Sequence, residues 1–567
     1  MLKLPYGRSD FASLIEDGFH YVDRTRYIAE LEQLGETYLV FLRPRRFGKS
    51  LWLSTLNYYY GKQYTDKFDT LFGQLTIGRQ PTKLANSYLI LHLDFSGIST
   101  ISRDSTYQDF LKKIKAGISR FAQNYPDLIS GEVLEKLLKE AVPHALMDDF
   151  LTALTGCSYK IYLLIDEYDH FTNELVSFDI SQFQDIVSKQ GWVRKFYEVV
   201  KTGTGQGLID RIFMTGVSPV TLDGLTSGFN ISKDLTRNRR FESMMGFTDA
   251  EVGNLLQKIG LPNRETHQLL RDWYNGYRFS NAHAERMYNP DMVLYFGTEY
   301  ISQGQMPENL LDTNIVSDYG KIKQVFRLGG ETSQHFRVLK QVLMEGTITT
   351  HIVPQFSFER YFTAEDFLSM LFYLGLLTIK DKNLQLAVLG IPNLVIEKLY
   401  FDFFRELIES KLEERGFEIN IQEAVYTLAE NNQPLPLLEL VTDTLKQISN
   451  RDLIHFNETG LKMVLLSYLH MAQLYTLRSE HEAERGYVDL LLLRQPAIET
   501  PYQFAFELKY LKQKDASKLA KVTEEGRIQL RRYLSAPELQ SQPNLRAWLV
   551  ICIGTEIKVI EEVFQEA

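Results

Sequence analysis

Three groups of residues in this 567-residue chain have the types and spacing that chemistry needs. The first is Arg43-Pro-Arg-Arg-Phe-Gly-Lys-Ser50, which follows the apolar run Tyr38–Leu42. A tight loop that opens a helix turns its backbone N–H groups toward an anion. Arg43, Arg46, Phe47 and Gly48 would form that cradle, with the three arginines adding positive charge beside the phosphates. Lys49 would reach the outer phosphates of a nucleotide, and the Ser50 hydroxyl would hold Mg²⁺. The general pattern G-x-x-x-x-G-K-[ST] places Arg43 where the first glycine belongs, and G-K-S by itself also occurs as an ordinary surface tripeptide. The second group is Asp166-Glu167, which ends the apolar run that starts at Lys160. Such a run reads as a strand covered on both faces. Carboxylates at its carboxyl end stand where open α/β sheets bind ligands. Asp166 would hold Mg²⁺ through water, and Glu167 would polarise an attacking water as general base.

The third group is Asp489, Glu507 and Lys509, in the spacing D-x17-E-x-K. Residues two apart in a strand share a face, so Glu507 and Lys509 point the same way and Asp489 on the preceding strand can join them. Two carboxylates make a site for a hard cation, Mg²⁺ or Mn²⁺. The cation would activate a water at a phosphodiester, with Lys509 positioning that water. Glu458, at the start of a helix, or Glu480 would be a further ligand or orienter. E-x-K on a half-exposed strand is commonly surface alternation, but here an apolar run precedes it. Downstream, Lys512, Lys514, Lys518, Lys521, Arg527, Arg531 and Arg532 outnumber Asp515, Glu524 and Glu525. That stretch suits a phosphate backbone or, equally, a solvated helix face.

These groups need particular elements to carry them. Tyr38–Leu42, Tyr88–Ser96, Lys160–Asp166 and Arg211–Thr215 read as strands, with helices at 50–60, 105–155 and 191–201 between them. The tip of the Arg211 strand, at Thr215 or Ser218, would sense a terminal phosphate or be a plain turn. Arg237, Arg239 and Arg240 would supply an arginine finger or lie on solvated surface. Thr248 and Glu251 form a capping box that starts a small helical subdomain reaching Trp273-Tyr-Asn-Gly-Tyr277. Helices and short strands mix over 300–400, and 401–450 is helical. Then come a helix from Asn457 to Met471, strands around Leu474–Arg478, Gly486–Leu493 and Tyr502–Tyr510, and a closing strand at Ala547–Ile553.

The chain is too long for one hydrophobic core, so two to four domains are expected. Its net charge of −10 rules out a protein that binds nucleic acid through its overall field; contact with nucleic acid would need a local patch. Cys157 and Cys552 are too few for a disulfide framework or a zinc site, which fits a reducing cytoplasm. The beginning of the chain has no signal-peptide pattern, and no apolar run is long enough to span a membrane.

Arg43-Pro-Arg-Arg-Phe-Gly-Lys-Ser50, Leu164-Ile-Asp-Glu-Tyr-Asp169, Thr215-Gly-Val-Ser-Pro219, Trp273–Phe279 and Tyr288-Asn-Pro290 resemble the bacterial AAA-ATPase-like proteins. Gly486-Tyr-Val-Asp489 with Glu507-Leu-Lys-Tyr510 resembles the PD-(D/E)xK nuclease domain that commonly follows in them. In that family the loop is characteristically R-P-R-R-F-G-K-S, so Arg43 is similar to the family's own form. The resemblance implies an α/β protein with a P-loop parallel sheet and a helical lid. A linking, mostly helical domain and a C-terminal mixed sheet of the restriction-endonuclease type complete the implied fold. Expected boundaries are 1–245 for the ATPase core, 246–290 for the lid, 291–400 for the linking domain and 401–567 for the nuclease-like domain. ATP is the implied nucleotide, with Mg²⁺ at Ser50 and Asp166 and Mg²⁺ or Mn²⁺ at Asp489, Glu507 and Glu458. The expected activity is an ATPase coupled to a metal-dependent DNA nuclease, in defence against foreign DNA. The alternative is a nucleotide-switched assembly protein that binds nucleic acid without cutting it. Nucleic acid and further copies of the chain are the expected partners.

Overall fold

The structure is a computed structural model. It describes residues 2–170, 191–219, 231–282, 285–312, 314, 326, 334–356, 362–410, 417–449, 457–483, 486–495 and 498–564. The chain forms two compact units. One comprises Met1–Ser302, Leu311–Leu328 and Glu345–Leu394; the other comprises Gln303–Leu310, Gly329–Met344 and Val395–Ala567.

The first unit is built on a five-stranded sheet: β1 (Tyr38–Leu42), β2 (Tyr88–Asp94), β3 (Lys160–Asp166), β4 (Ile209–Gly216) and β5 (Lys233–Asp234). The order is β2-β3-β4-β1-β5, and every pairing is parallel. β1 and β3 are apolar along nearly their whole length, and β4 from Ile212 to Met214, because helices cover the sheet. The helices Lys49–Tyr60, Arg103–Asn124 and Trp192–Gly205 pack on these strands. Phe41, Trp52, Leu56, Tyr60, Tyr162 and Phe213 meet in the core. The helical stretch expected over 105–155 divides into Arg103–Asn124, Gly131–Lys139 and Pro143–Ala153. Pro126 disfavours helix at Tyr125 before it, and Ser130 caps the next helix by accepting from Val133 N.

Thr248 and Glu251 do form a capping box: Glu251 N donates to Thr248 Oγ1 (3.3 Å), and Thr248 N donates to Glu251 Oε2 (2.8 Å). The helices Asp249–Lys258, Arg264–Tyr274 and Pro290–Gln303 follow. A small antiparallel sheet, β6 (Thr347–Thr350), β7 (Thr378–Asn383) and β8 (Leu386–Gly390), is ordered β6-β8-β7.

In the second unit, helices at Leu394–Glu409, Phe417–Asn431, Leu435–Ser449 and Glu458–Ala472 precede a mixed sheet. Its strands are β9 (Tyr475–Ala483), β10 (Gly486–Arg494), β11 (Gln503–Leu511), β12 (Leu545–Ile553) and β13 (Glu556–Glu562). They run in the order β13-β12-β11-β10-β9, with β11 and β12 parallel and the other pairs antiparallel. The helix Leu519–Leu534 packs on this sheet, and Leu530, Leu549, Leu491 and Tyr533 are buried together. The fold class is therefore the expected one: a P-loop-type parallel sheet, a helical middle and a C-terminal mixed sheet. Among the described residues no helix is long and apolar enough to cross a membrane.

Candidate functional sites

β1 and β3 are not neighbours; β4 lies between them. Their carboxyl ends are nevertheless on the same edge, and the loop after β1 and the turn after β3 reach one cavity of about 450 Å³. Arg46, Gly48, Lys49, Ser50, Glu167 and His170 line it. That volume lies within the usual range for small-molecule sites. Arg46 (φ +69°) and Gly48 (φ +89°) are both left-handed, which coils the loop before the helix starts at Lys49. Lys49 is buried and its Nζ donates to Pro44 O (3.2 Å). Burial pulls its pKa below the ordinary lysine value, while Glu167, Asp166 and Asp169 favour its charge. Burial pushes the Asp166 carboxyl up to about 6, against Ser50 and Lys49. Burial would raise Glu167 too, but His170 and Lys49 outweigh it and hold that carboxyl down at about 2.

Arg43 does not join this cradle. It is 1% exposed and turns away from the cavity. Its Nη1 donates to Leu42 O and Thr236 O (both 2.9 Å), and its Nη2 to Glu242 O (3.2 Å). The guanidinium carbon sits 4.1 Å from the ring centroids of both Phe41 and Phe279. Even its backbone N–H is committed, to Gly216 O at 3.2 Å. A buried cation held by carbonyls and two aromatic faces braces the loop; it is not a phosphate ligand. The phosphate-sensing reading of Thr215 and Ser218 is corrected in the same way. Thr215 Oγ1 donates to Phe41 O (2.8 Å), and Asp169 accepts from the N–H groups of Val217 (3.0 Å) and Ser218 (2.6 Å). A Cβ at Gly216 would overlap the Asp169 carboxylate, which is why that turn carries a glycine. Arg240 pairs with Glu30 (2.9 Å) and is a surface residue.

The segments after 246 hold the loop from outside. Phe47 lines the cavity with its ring edge-on to Tyr277 and Phe279, at 5.0 and 5.6 Å. Arg46 Nη1 lies 2.8 Å from Asp291 Oδ2, and Asn289 Nδ2 donates to Arg45 O (3.4 Å). Glu242 Oε1 accepts from Phe279 N (2.6 Å), so the Arg43 and Phe279 contacts form one packed block. Sequence reasoning singled out Trp273–Phe279 and Tyr288-Asn-Pro290 as motifs but missed this role. The available signal was an aromatic and amide density with no chemistry of its own. His170 was also missed; it stands one turn after Glu167, the usual place for a side chain to reach back.

In the second unit β10 and β11 pair as far as Leu490 opposite Phe506. At the next step Leu508 N donates to Asp489 Oδ2 (2.8 Å), so the Asp489 carboxylate crosses to β11 beside Glu507. Glu507 is fully buried, and neither carboxylate oxygen makes a directed hydrogen bond among the described residues. Lys509 Nζ is 2.6 Å from Glu507 Oε1, a charge contact off the hydrogen-bonding direction. Burial and the neighbouring Asp489 push the Glu507 carboxyl up to about 7. Glu458 follows the Asn457 N-cap and is raised by burial, against Lys509, with Asp489 adding to the rise. The Glu480 side chain lies outside the described side chains. Among the described residues no three His, Cys, Asp or Glu side chains form a metal-binding group. The donor chemistry still fits a hard cation: the carboxylates offer oxygen donors only, and one of them is buried. On the helix Leu519–Leu534 and its lead-in much of the positive charge is paired: Lys518 with Asp515, Lys521 with Glu525, and Arg527 with Glu524 and Glu561.

A phosphate-type loop facing a carboxylate pair in one unit, and a D…E-x-K constellation on a mixed sheet in the other, define an ATPase-like and nuclease-like protein. Residues 5–226 match the family described as "Predicted AAA-ATPase", and residues 456–562 match the PD-(D/E)XK nuclease superfamily. The chain thus carries an AAA-ATPase-like domain and a C-terminal nuclease-superfamily domain, which imply nucleotide and divalent-metal use in general. It is 27% identical over 298 residues to an uncharacterised protein of the vnfD 5′ region in Azotobacter chroococcum mcd 1. That match covers 52% of this chain and 52% of the relative, so the chain spans about half the length of the curated relative it matches. Among solved structures, the Aeropyrum pernix ORC2 protein aligns over 68% of this chain and 93% of its own. It does so at 10% identity and a TM-score of 0.30, a likeness too weak to carry a functional argument.

Proposed function

We propose that the first unit binds and hydrolyses ATP with Mg²⁺, and that the second cuts DNA with Mg²⁺ or Mn²⁺. In this reading Lys49 and the loop N–H groups of Arg46, Phe47 and Gly48 hold the phosphates. Ser50 and Asp166 hold the cation, and Glu167 polarises the attacking water. The observation that supports it best is the convergence of Lys49, Ser50 and Glu167 on one cavity although a strand separates β1 from β3. In the second unit Asp489 and Glu507 would hold a cation, with Glu458 as a further oxygen donor. The cation would supply an activated water and offset charge on the phosphodiester. Lys509 holds a proton beside Glu507 and orients that water. The domain boundaries at 245, 290 and 400, a cytoplasmic setting, self-association and a role in defence against foreign DNA belong to the same proposal.

The experiment is incubation of the purified chain with plasmid and Mg²⁺ or Mn²⁺, with and without ATP. Asp489→Ala and Lys509→Ala should stop cutting. Cutting by either variant at the wild-type rate would remove the nuclease assignment. One observation favours a second reading, in which the nuclease-like unit binds nucleic acid without cutting. Glu507 is buried against Lys509, and the described carboxylates do not gather as a set of three. Nucleic-acid binding that survives in a wild type inert under every metal would select that reading.

A further inference from the structure

We propose that His170 is a positioning residue for Glu167, fixing which carboxylate oxygen faces the attacking water; this rests on Glu167 being the general base. Three backbone N–H groups of the turn after β3 are held by hydrogen bonds. Glu167 N donates to its neighbour's Asp166 Oδ1 (3.0 Å), Tyr168 N to Thr215 O (3.2 Å) and His170 N to Glu167 O (3.1 Å). Tyr168 Oη donates to Ser218 O (2.8 Å), and the Asp169 carboxylate takes the N–H groups of Val217 and Ser218. Glu167 itself is left-handed at φ +47°, a conformation L side chains rarely adopt. A non-glycine residue kept there by so many surrounding bonds is a feature that clusters at functional sites.

The backbone is therefore fixed, but a glutamate side chain still has three rotatable bonds. Its described hydrogen-bonding partner is His170, whose Nδ1 lies 2.9 Å from Glu167 Oε2. With Nδ1–H donating to Oε2, Oε1 is the oxygen left to take a proton from water. Glu167 and His170 both line the cavity that Lys49 and Ser50 line, so this choice of oxygen is made where phosphate would stand. A general base works only when its acceptor atom is within hydrogen-bond reach of the proton it takes. Side chains that lock such a base are the usual source of that precision.

The test uses the full chain and four variants: His170→Ala, His170→Asn, Glu167→Gln and the double variant Glu167→Gln/His170→Ala. Phosphate release gives kcat and KM for Mg²⁺·ATP. Titration with a fluorescent, non-hydrolysable ATP analogue gives Kd. His170→Ala should lower kcat roughly 10–100-fold, the usual loss on removing an orienting partner, with analogue Kd within about twofold. His170→Asn places an amide N–H close to the position of Nδ1 and should recover the rate to within about threefold of wild type. The double variant should be no slower than Glu167→Gln, because both changes act through one carboxylate. An unchanged kcat in His170→Ala, a loss that Asn does not recover, or a further loss in the double variant overturns the proposal. If His170→Ala fails to fold, as a lowered Tm and lost analogue binding would show, His170→Asn against His170→Gln decides. Asn faster than Gln supports the role, and equal rates overturn it. Failure of the underlying reading looks different: Glu167→Gln then hydrolyses ATP like wild type. If Glu167→Gln is inert and His170→Ala is normal, only the role of His170 falls.

Discussion

Two glutamates, Glu167 in the turn just after β3 and Glu507 within β11, stand at two different sheets. Burial acts in the same direction on both, yet they end at opposite extremes. Glu167 is held down at about 2 because His170, Lys49 and Arg45 surround it with positive charge and a donor. Glu507 is pushed up to about 7 chiefly by burial, with the acidic Asp489 and Glu458 adding to the rise and Lys509 opposing it with a single charge. The first glutamate is a carboxylate before anything binds, the form that the proposed general base requires. The second becomes a full carboxylate near neutral pH only when further positive charge arrives, so cation binding there should release a proton. The same residue type is shifted in opposite directions by the signs of its neighbours.

Breaking the positive side of this comparison should have the largest effect. Lys49→Ala removes the buried ammonium beside Glu167 and with it the loop's proposed phosphate contact. Analogue titration should find nucleotide binding abolished; retained tight binding would contradict the assignment. Next comes Arg43. Arg43→Gly restores the general phosphate-loop pattern, yet it should destabilise the first unit by about 3–5 kcal/mol, since buried carbonyls and two aromatic faces lose their cation. Denaturant unfolding would measure this, and an unchanged midpoint would return Arg43 to the cradle.

Glu507 sharpens the acidic side. Its folded pKa lies above the ordinary carboxyl value, so the folded state holds this proton more tightly than the unfolded one. The stability this contributes is present in acid and is lost as pH rises through about 7. Glu507→Gln cannot ionise. With chelator present, its Tm at pH 8 should exceed that of wild type by a few degrees, and the gap should close toward pH 4. An equal gap at both pH values would mean that Glu507 is not the titrating group. The smallest effect concerns the helix Asp249–Lys258. Thr248→Ala removes one half of its capping box and should cost about 1 kcal/mol in unfolding free energy while leaving phosphate release and strand cleavage unchanged.

Much of the scaffold was legible in the sequence because apolar runs and caps are local signals. β1 spans Tyr38–Leu42 and β3 ends at Asp166, where the patterns placed them, and Thr248 and Glu251 cap as their spacing requires. The places where residues of the two sites meet follow from strand periodicity and from the carboxyl-edge rule. What was not legible is direction in three dimensions. Arg43 reads as one more loop cation, and nothing local says that Phe41 and Phe279, far apart in the chain, would enclose it. β5 is two residues long and joins β1 from a distant segment. The pairing of His170 with Glu167 required the left-handed turn at Glu167, which no propensity announces.

The measurement that bears most directly on the two proposed activities is a single reaction followed by two readouts. Wild type, Glu167→Gln and Asp489→Ala are incubated with plasmid, ATP and Mg²⁺ or Mn²⁺ while phosphate release and strand cleavage are recorded together. The predicted result is that wild type does both, Glu167→Gln stops releasing phosphate, and Asp489→Ala stops cutting while still hydrolysing ATP. Phosphate release that survives in Glu167→Gln, or cleavage that survives in Asp489→Ala, would contradict it.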